Sequence, residues 1–552
     1  MGNLPNYWQR LATQRVSRRT ALKAGAAAGL GTAATIALGG CGGGSKNDTT
    51  NTPAPVGTPQ YGGKISTAVT TDPGGLDPHY GITNGWIVGQ LHGYLYAVNF
   101  YDQTAMLEMA ESFEQPDNTT YLWKLRPGIK FQNVDPVNGR VVTADDVVYS
   151  FTRRRDDGAV MNDKVFLRDY TTGFEATDGL TFKLQTTRPY SPGYDTMGGV
   201  SYAIVPHEAV EKWGDLQQHS VGCGAYILDE FVKADHVKMH KNPDFYMAGR
   251  PYIENREWQV ITDTSTLLQA FEAGQQDIYG SRLDKRKVDE LKGIKGIVIR
   301  DVPFLSQRSV SYNITKDPFK DPRVGQALDL AVDRQDLIAK MAFGEGKVAG
   351  PIPPDFSFWA LPQDEVDNFY KVDLAEAKKL LSAAGYQDGF DVDVPTMTIV
   401  DMANFGQVVK EQLSKINVRC NLQPKEIGAF LVQTLKGDFS MVFSFSLGAT
   451  EPDAYLGAWF SKGNNGTNIT GYNNPVMDDW IWKERSEFDR NKRKQIVLDA
   501  QRAMMNEHSP GFQTYTPKDW LASWDWVGGI DPNLYDSFAW NYIGVDLWIK
   551  PH

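Results

Sequence analysis

The first sixty residues set where this chain folds and which part of it builds the globular core. A basic segment, 17–23, precedes an apolar run rich in Ala and Gly that extends from Ala24 to Leu38. The run is too short and too weakly apolar for a stable membrane span. A basic region, an apolar region and then small residues are typical of an export signal. We therefore expect an exported protein whose globular part begins after this segment.

Two details refine this expectation. The pair Arg18 and Arg19 resembles a twin-arginine export signal, and a general basic export signal is the alternative. The sequence Leu-Gly-Gly before Cys41 resembles a bacterial lipobox, which implies cleavage before Cys41 and a lipid on its thiol; an accidental cysteine is the alternative. Residues 42–60 have almost no apolar content, so they are expected to form a flexible tether. Segments 1–40 and 41–60 are thus interpreted as export signal and tether.

Length and charge limit the remaining possibilities. The chain has 552 residues, which is more than a single core usually organises. Its net charge is −11, and the first 40 residues carry five positive charges and no acid, so residues 41–552 carry −16. Because residues 41–552 are this acidic, the chain is not expected to be a general nucleic-acid binder. Cys223 and Cys420 could form a disulfide in an oxidising compartment or stay as free thiols.

Several local patterns predict strands. Residues 62–69 form an entry strand, and 123–126 and 129–131 form two strands joined by a Pro-Gly turn. His236 and His240 are four apart in a segment that is typical of a strand, where this spacing does not converge on a metal ion.

Other patterns predict helices and their ends. Thr143 caps a helix, with Asp146 three residues later. A second helix begins after Asp373 and ends before Gly385, and a third covers 323–343. Within the third segment, Asp333 and Arg334 are interpreted as a capping and ion-pairing unit at a helix end. Strands and helices alternate without a repeat, which predicts α/β layers.

Known catalytic patterns are absent from the sequence. There is no HExxH, no GxSxG and no phosphate-binding loop, and no spacing of carboxylates or cysteines singles out a pair or a zinc site. We therefore expect no catalytic residue, no metal and no cofactor. An exported cofactor enzyme and a ligand sensor are kept as alternative classes.

Four groups of short motifs carry a family resemblance. They are LRPGIKF (125–131) with TADDVVYSF (143–151); AIVP (203–206) with VGCGAY (221–226) and KNPDFY (241–246); DPRVGQAL (321–328) with AVDR (331–334); and AEAKKLL (375–381) with AGY (384–386). In this order and at these separations, they resemble the peptide/nickel/oligopeptide class of extracellular solute-binding proteins. The resemblance extends over about residues 61–545.

This resemblance implies an α/β fold of the two-lobed, periplasmic-binding-protein type II-like kind with an extra inserted domain. The expected boundaries are 61–85, 216–302 and 512–552 for a discontinuous lobe I, 86–215 for the inserted domain, and 303–511 for lobe II. The hinge would lie near Pro303 and Pro510. A ligand in the cleft between the lobes would favour a closed form, which would dock on the membrane permease of an ABC importer.

Segment 443–453 is the most informative about the ligand. In peptide-binding members of the resembled class, an aspartate three residues before an acidic-Pro pair holds the amino terminus of the peptide. Gly448 occupies that position here, and Val442 replaces a basic residue often found six positions earlier. A buried ammonium without a carboxylate partner is costly. A zwitterionic peptide would therefore need another acid, such as Glu451 or Asp453.

Aromatic and hydroxyl side chains complete the candidate site. Phe445 is the first candidate to pack against a ligand, and Ser444 and Ser446 could donate hydrogen bonds or form the polar face of a strand. The other candidates, for which packing in a lobe core is the alternative, are Tyr80, Asn84, Trp86, Tyr515, Trp524 and Trp526. Aromatic walls with few charges would suit a sugar or an amphipathic amide.

The sequence thus predicts the binding component of an ABC importer that carries a peptide or peptide-like solute to a permease. A neutral oligosaccharide or another non-peptide solute is the rival ligand. The expected location is outside the cytoplasm, in the periplasm or on the outer face of the cell membrane, with contact to the membrane through the lipid.

Overall fold

A computed structural model describes residues 58–80, 85–98, 105–156, 162–398, 400–446, 448–449, 451–461, 468–530 and 545–551. The predicted export and lipidation residues Arg18, Arg19 and Cys41, and the candidate Asn84, lie outside this part of the chain. Within the described ranges, no helix has the length and apolar character needed to cross a membrane.

Strands and helices alternate along the chain. The strands are β1 (Lys64–Val69), β2 (Tyr96–Val98), β3 (Ala105–Leu107), β4 (Ala110–Asp117), β5 (Thr120–Leu125), β6 (Thr171–Ala176), β7 (Thr181–Thr186), β8 (Tyr226–Val232), β9 (His236–Lys241), β10 (Asn255–Val260), β11 (Ile278–Tyr279), β12 (Ile297–Val302), β13 (Arg308–Tyr312), β14 (Gly346–Val348), β15 (Phe390–Met397), β16 (Val418–Lys425), β17 (Met441–Phe445), β18 (Gly511–Gln513), β19 (Tyr515–Pro517), β20 (Asp519–Trp524), β21 (Val527–Gly528) and β22 (Trp548–Ile549). The helices are α1 (Gly85–Leu91), α2 (Ala144–Asp156), α3 (Asn162–Asp169), α4 (Gly193–Thr196), α5 (His207–Trp213), α6 (Thr264–Glu272), α7 (Lys285–Leu291), α8 (Pro322–Ala331), α9 (Arg334–Ala342), α10 (Gln363–Phe369), α11 (Leu374–Ala383), α12 (Val400–Ser414), α13 (Ile427–Leu435), α14 (Asp453–Leu456), α15 (Pro475–Ser486) and α16 (Arg490–Glu507).

A seven-stranded mixed sheet has the order β12-β20-β11-β1-β10-β9-β8. β1 pairs in parallel with both β10 and β11, and four consecutive residues of β1 are buried, as expected for a strand covered on both faces. β20 runs antiparallel to β11 and β12. The carboxyl ends of β1, β10, β11 and β12 and the start of β20 therefore lie at one edge of this sheet.

The segment from Arg308 to Pro517 builds its own sheets. β13 lies between β17 and β18, β15 pairs in parallel with β16, and β14 pairs with β19. The chain passes between this segment and the seven-stranded sheet twice: through 303–307, after β12, and through Lys518, before β20. Residues 110–186 form a separate four-stranded sheet, β4-β5-β7-β6, against which α2 packs.

Hydrophobic packing follows the same division. One core joins side chains between Val310 and Tyr515, a second joins side chains mainly between Leu95 and Cys223, and smaller cores cover the seven-stranded sheet. Cys420 belongs to the first core and Cys223 to the second, and both are free thiols. The disulfide that the sequence left open is therefore not formed.

The helix caps predicted at Thr143, Asp373 and Asp333 are confirmed at the starts of α2, α11 and α9. Thr143 N donates to Asp146 Oδ2 at 2.9 Å, and Asp146 N donates to Thr143 O at 3.2 Å at the start of α2. Asp373 Oδ1 accepts from the first turn of α11 at 2.9 Å. Asp333 caps α9, and Arg334 pairs with the buried Asp329.

Two predictions about elements were wrong in extent. The single helix expected over 323–343 is two helices, α8 and α9, because Val332 is extended at φ −89° and ψ 112° and Asp333 starts a new helix. The expected strand 129–131 is reduced to one bridge between Lys130 and Val141.

Candidate ligand-binding site at the two crossovers

β17 carries the most informative predicted residues to the first crossover. β17 pairs with β13 so that Phe445 lies opposite Arg308, whose guanidinium carbon is 5.5 Å from the Phe445 ring centroid. Beyond the strand, Ser446 N donates to Gln307 O at 2.9 Å, and Ser446 Oγ accepts from Gln307 N at 3.1 Å. Ser444 pairs with Ser309 of β13 through the backbone, and its hydroxyl lies 3.5 Å from Phe445 O. The hydroxyl of Ser446 thus fixes β17 to the crossover.

The segment after β17 stays close to the same crossover. Ala449 N donates to Tyr455 Oη at 2.9 Å, and Tyr455 Oη donates to Leu305 O at 2.6 Å. Gly448 precedes Ala449 and is half-buried. The position at which the resembled class has an amine-binding aspartate therefore lies beside the passage between the two parts of the chain, without a side chain.

Asp453, one of the two acids proposed to replace that aspartate, is already paired. It is buried and accepts from Arg485 Nε at 2.6 Å, from Arg485 Nη2 at 3.1 Å and from the Tyr190 hydroxyl at 3.0 Å. Burial acts to raise the pKa of Asp453, but Arg485 outweighs it and lowers that pKa. The carboxylate is therefore committed to an arginine.

Glu451 is in a similar position. It is 3% exposed and pairs with Arg493, which also bonds Glu484. Burial raises the pKa of Glu451. An ammonium group reaching either Glu451 or Asp453 would have to displace a guanidinium, so this geometry does not favour them as a replacement amine clamp.

Four charged side chains meet at the crossovers, and sequence reasoning missed all of them. Arg308 Nη2 donates to Asp401 Oδ2 at 2.5 Å. Arg282 lies with Nη1 3.8 Å from Asp401 Oδ2 and with Nε 3.8 Å from Asp519 Oδ2. Arg282 and Asp519 belong to the edge of the seven-stranded sheet, whereas Arg308 and Asp401 belong to the other part. This crossover cluster therefore bridges the two parts of the chain.

Burial and charge set the state of the two acids in the crossover cluster. Burial raises the pKa of Asp519 to about 6. Burial also acts to raise the pKa of Asp401, but Arg308 and Arg282 outweigh it and lower that pKa. At neutral pH both acids are therefore mainly ionised and offset the two guanidinium charges.

Tyr515 lies near the crossover cluster, whereas the contacts of Tyr80 are with Arg153 of α2 and with its own turn. Tyr515, in β19, is 2% exposed, and burial raises its pKa to about 12, with the charges of Arg308 and Asp401 also acting on it. Tyr80 follows β1 in a turn, is 38% exposed, and has the Arg153 guanidinium 5.4 Å from its ring centroid.

The three tryptophans among the candidates pack within the sheet cores. Trp86 makes an edge contact with Trp258 at 5.7 Å between centroids. Trp524 and Trp526 stack at 4.5 Å, and their indole N–H groups donate to Phe271 O and to Asp277 Oδ1.

Strand direction separates this tryptophan pair from the crossovers. Trp524 is at the far end of β20 from Asp519, and five residues of strand extend about 17 Å. Asp277, which holds Trp526, directly precedes β11 and so lies at the amino end of that strand. The structure thus brings Phe445, Gly448 and the crossover cluster together but not Trp524 and Trp526.

The described ranges contain no group of three His, Cys, Asp or Glu side chains that could hold a metal ion. His236 and His240 lie on β9 as predicted, and each pairs with nearby surface carboxylates instead of with each other.

Comparisons with known proteins agree with this architecture. The sequence profile of the bacterial extracellular solute-binding proteins, family 5 middle region, matches residues 104–467. The glutathione-binding protein GsiB of Escherichia coli (strain K12) is 25% identical over 461 residues, which cover 80% of this chain and 83% of GsiB.

Two solved structures illustrate the shared fold. DppA of Helicobacter pylori, in complex with the peptide STSA, has a TM-score of 0.78 at 21% identity and covers 89% of this chain and 99% of its own. AgaA of A. tumefaciens R10, in complex with agropinic acid, has a TM-score of 0.77 at 22% identity over 89% and 99% of the two chains. The type II periplasmic-binding-protein fold and the family resemblance are confirmed: the chain belongs to family 5 of the bacterial extracellular solute-binding proteins.

Proposed function

We propose that this protein captures a peptide or peptide-like solute at the crossovers and delivers it to the permease of an ABC importer. The observation that carries the proposal is the crossover cluster, in which side chains from both parts of the chain face one another and Phe445 lies against Arg308. A ligand bound there contacts both parts at once and stabilises their closed arrangement. The glutathione and peptide ligands of GsiB and DppA support a peptide-like solute.

The domain boundaries expected from the sequence form part of this proposal. From the sequence, lobe I combines 61–85, 216–302 and 512–552, lobe II is 303–511, and 86–215 is the inserted domain. The strand pairing moves one of these limits: β18 pairs with β13 and β19 with β14, so lobe II would extend to Pro517. The hinge would then be formed by the two passages of the chain, through 303–307 as expected and around Lys518 instead of Pro510. The proposed role is binding without turnover, so purified protein should return its ligand chemically unchanged.

A neutral or otherwise non-peptide solute is the second candidate. Gly448 supports it, because the position that binds a peptide amine in the resembled class carries no acid, and the acids nearby are paired with Arg485 and Arg493. The complex of AgaA with agropinic acid shows that this fold also accommodates a ligand other than a peptide.

A thermal-unfolding assay tests the function and separates the two ligand classes. A ligand that binds only the native state stabilises it, by about 2.7 kcal/mol at a concentration of 100 Kd. Di- to octapeptides and neutral oligosaccharides would be compared at equal concentration. A raised melting temperature with peptides supports the first candidate, and a rise with sugars alone supports the second. Turnover of a ligand, or a cofactor in the purified protein, would instead favour the enzyme class.

The lipid anchor is a separate proposal with its own test. We expect the full-length protein to fractionate with membranes, and a C41S variant to appear in the soluble extracytoplasmic fraction. Mass spectrometry of the mature amino terminus would identify a modified Cys41. An unmodified cysteine, or equal fractionation of both forms, would contradict the proposal.

A further inference from the structure

Arg282 has an unusual environment for a partly buried guanidinium. Its Nε is shielded from solvent and has no hydrogen-bond partner among the described residues. Its nearest carboxylate oxygens, on Asp401 and Asp519, lie at 3.8 Å, which is too long for a hydrogen bond. The guanidinium instead lies over Phe304, 4.2 Å from the ring centroid. The buried Nε–H of Arg282 is therefore an open donor, and the side chain, 39% exposed, is accessible to a ligand.

Arg308 lies across the crossover with part of its hydrogen-bonding capacity also unused. Its side chain is about 5% exposed, one Nη2 donates to Asp401, and its Nε has no hydrogen-bond partner among the described residues. Because buried donors are normally satisfied, unfilled donors on two facing arginines indicate a partner that binds there.

We propose that Arg282 and Arg308 form an anion-binding subsite, and that the solute captured by this protein presents a carboxylate to it. Guanidinium groups bind carboxylates in paired, charge-assisted hydrogen bonds, which fit the open donors of both side chains. The subsite takes one arginine from each part of the chain, so the carboxylate would bridge them. This inference rests on the proposed solute-binding function and specifies the charge of its ligand.

The competing possibility is that Asp401 binds an amine. Asp401 is 41% exposed at its side chain and lies in the same cluster. However, Arg308 is already hydrogen-bonded to it, and Arg282 is within 3.8 Å. An ammonium group at Asp401 would compete with these guanidinium groups for the carboxylate, and it would leave the open Nε–H donors of both arginines unfilled. With Gly448 in place of the amine-binding acid, the cluster favours the acidic end of a ligand.

A tripeptide library of mixed composition, prepared with four combinations of end groups, tests the proposal directly. The forms combine a free or acetylated amino terminus with a free or amidated carboxyl terminus. Binding to the full-length protein would be measured by calorimetry and thermal shift. We expect both free-acid forms to bind roughly 10- to 150-fold more tightly than the matching amides, as for loss of a charged hydrogen bond. We expect acetylation to have little effect.

Variants assign the effect to the two arginines. R282Q removes the guanidinium but keeps a polar side chain beside Phe304. Because the buried Asp519 loses its nearest cation, we expect the variant to be folded but less stable, which its thermal unfolding checks, and we expect the preference for the acid over the amide to disappear. R308K keeps the charge but loses the planar pair of donors, so it should weaken the preference. The matched control is R286Q, because Arg286 is nearby and its side chain is 73% exposed. R286Q should bind as the wild type does.

The outcomes separate this inference from the function on which it rests. Equal binding of acids and amides, or a preference kept in R282Q, overturns the subsite while leaving peptide binding in place. No binding of any peptide form overturns the peptide proposal, and glucuronate is then compared with glucose. Stabilisation by glucuronate alone, lost in R282Q, supports the subsite with a non-peptide acid, and stabilisation by neither or by both overturns it.

Discussion

Replacing Arg485 by methionine tests whether Asp453 serves the fold rather than the ligand. Arg485 is buried, donates two hydrogen bonds to Asp453 and a third to the Tyr170 hydroxyl at 3.2 Å. Its guanidinium carbon lies 4.5 to 5.6 Å from four ring centroids, those of Tyr170, Tyr190, Phe460 and Trp482. Methionine can still fill much of this aromatic pocket, so the main loss is the cation.

The cost follows from what happens to Asp453. Without Arg485, the buried carboxylate would be neutralised by a proton. Holding an aspartate neutral at pH 7 costs about 4 kcal/mol relative to its unfolded pKa near 3.9. This agrees with the roughly 3–5 kcal/mol lost when one partner of a buried ion pair is removed. For a cooperative unit of about 150–250 residues, the melting temperature would fall by about 8–16 °C.

The stability lost in R485M should be larger at pH 7 than at pH 5. In the wild type the lowered pKa of Asp453 contributes stability above the unfolded pKa, and that contribution is lost as pH falls through the folded pKa. In R485M the pKa of Asp453 is raised instead, so the difference from wild type should shrink to about 1.5 kcal/mol at pH 5.

Thermal unfolding of the ligand-free protein at pH 7 and pH 5 would measure both the size and the pH dependence of the loss. The matched control is R419M, because Arg419 and Asp391 form an exposed pair at 2.8 Å, whose loss should change the melting temperature little. If R485M unfolds at the same temperature as R419M, or if its loss of stability does not change with pH, Arg485 does not hold Asp453 as a buried charge.

Three further outcomes are expected. D373A removes the cap of α11 and should lower the free energy of unfolding in denaturant by about 0.5–2 kcal/mol. Burial raises the pKa of Glu108 to about 8, although a hydrogen bond from the Tyr246 hydroxyl acts to lower it. The free energy of unfolding should therefore fall by up to about 5 kcal/mol as pH rises from about 4.5 to 8. The E108Q variant should not show this fall. Cys223 and Cys420 are buried free thiols, so in a chain whose N-terminal cysteine is replaced by Ser, a thiol reagent should label neither before unfolding and both after it.

Interactions within a few residues could be predicted from the sequence. The caps at Thr143 and Asp373 depend only on a side chain and the first turn that follows it, so the local pattern was sufficient. The same kind of reasoning gave too long a helix over 323–343. Its apolar spacing continues through Val332, but Asp333 can start a helix as well as continue one, and here it caps α9.

The binding site was harder to predict from the sequence, because it depends on which strand ends lie at the same edge of the sheet. Segment 443–453 was identified through the family resemblance, and the structure places Phe445 and Gly448 at the crossover. Residue type alone could not distinguish Trp524 and Trp526 from aromatic residues that bind ligands, and the direction of β20 places them away from that edge. Arg282 and Asp519 meet only because β11 and β20 are neighbours in the sheet, and nothing in their local sequences indicates it.

Gly448 and Arg282 change the electrostatics of the crossover in the same direction. The glycine leaves out a negative charge that would attract an ammonium. The charge of Arg282 is offset by the acids of the cluster, but its open Nε–H donor can be filled by a carboxylate and not by an ammonium. Each feature alone would weaken recognition of a peptide amine, because the first lacks a partner for it and the second offers it only a donor. Together they leave a carboxylate as the ligand group that gains most from binding at this point. The electrostatics of the crossover therefore favour selection by the acidic end of the solute, with Phe445 available for its apolar part.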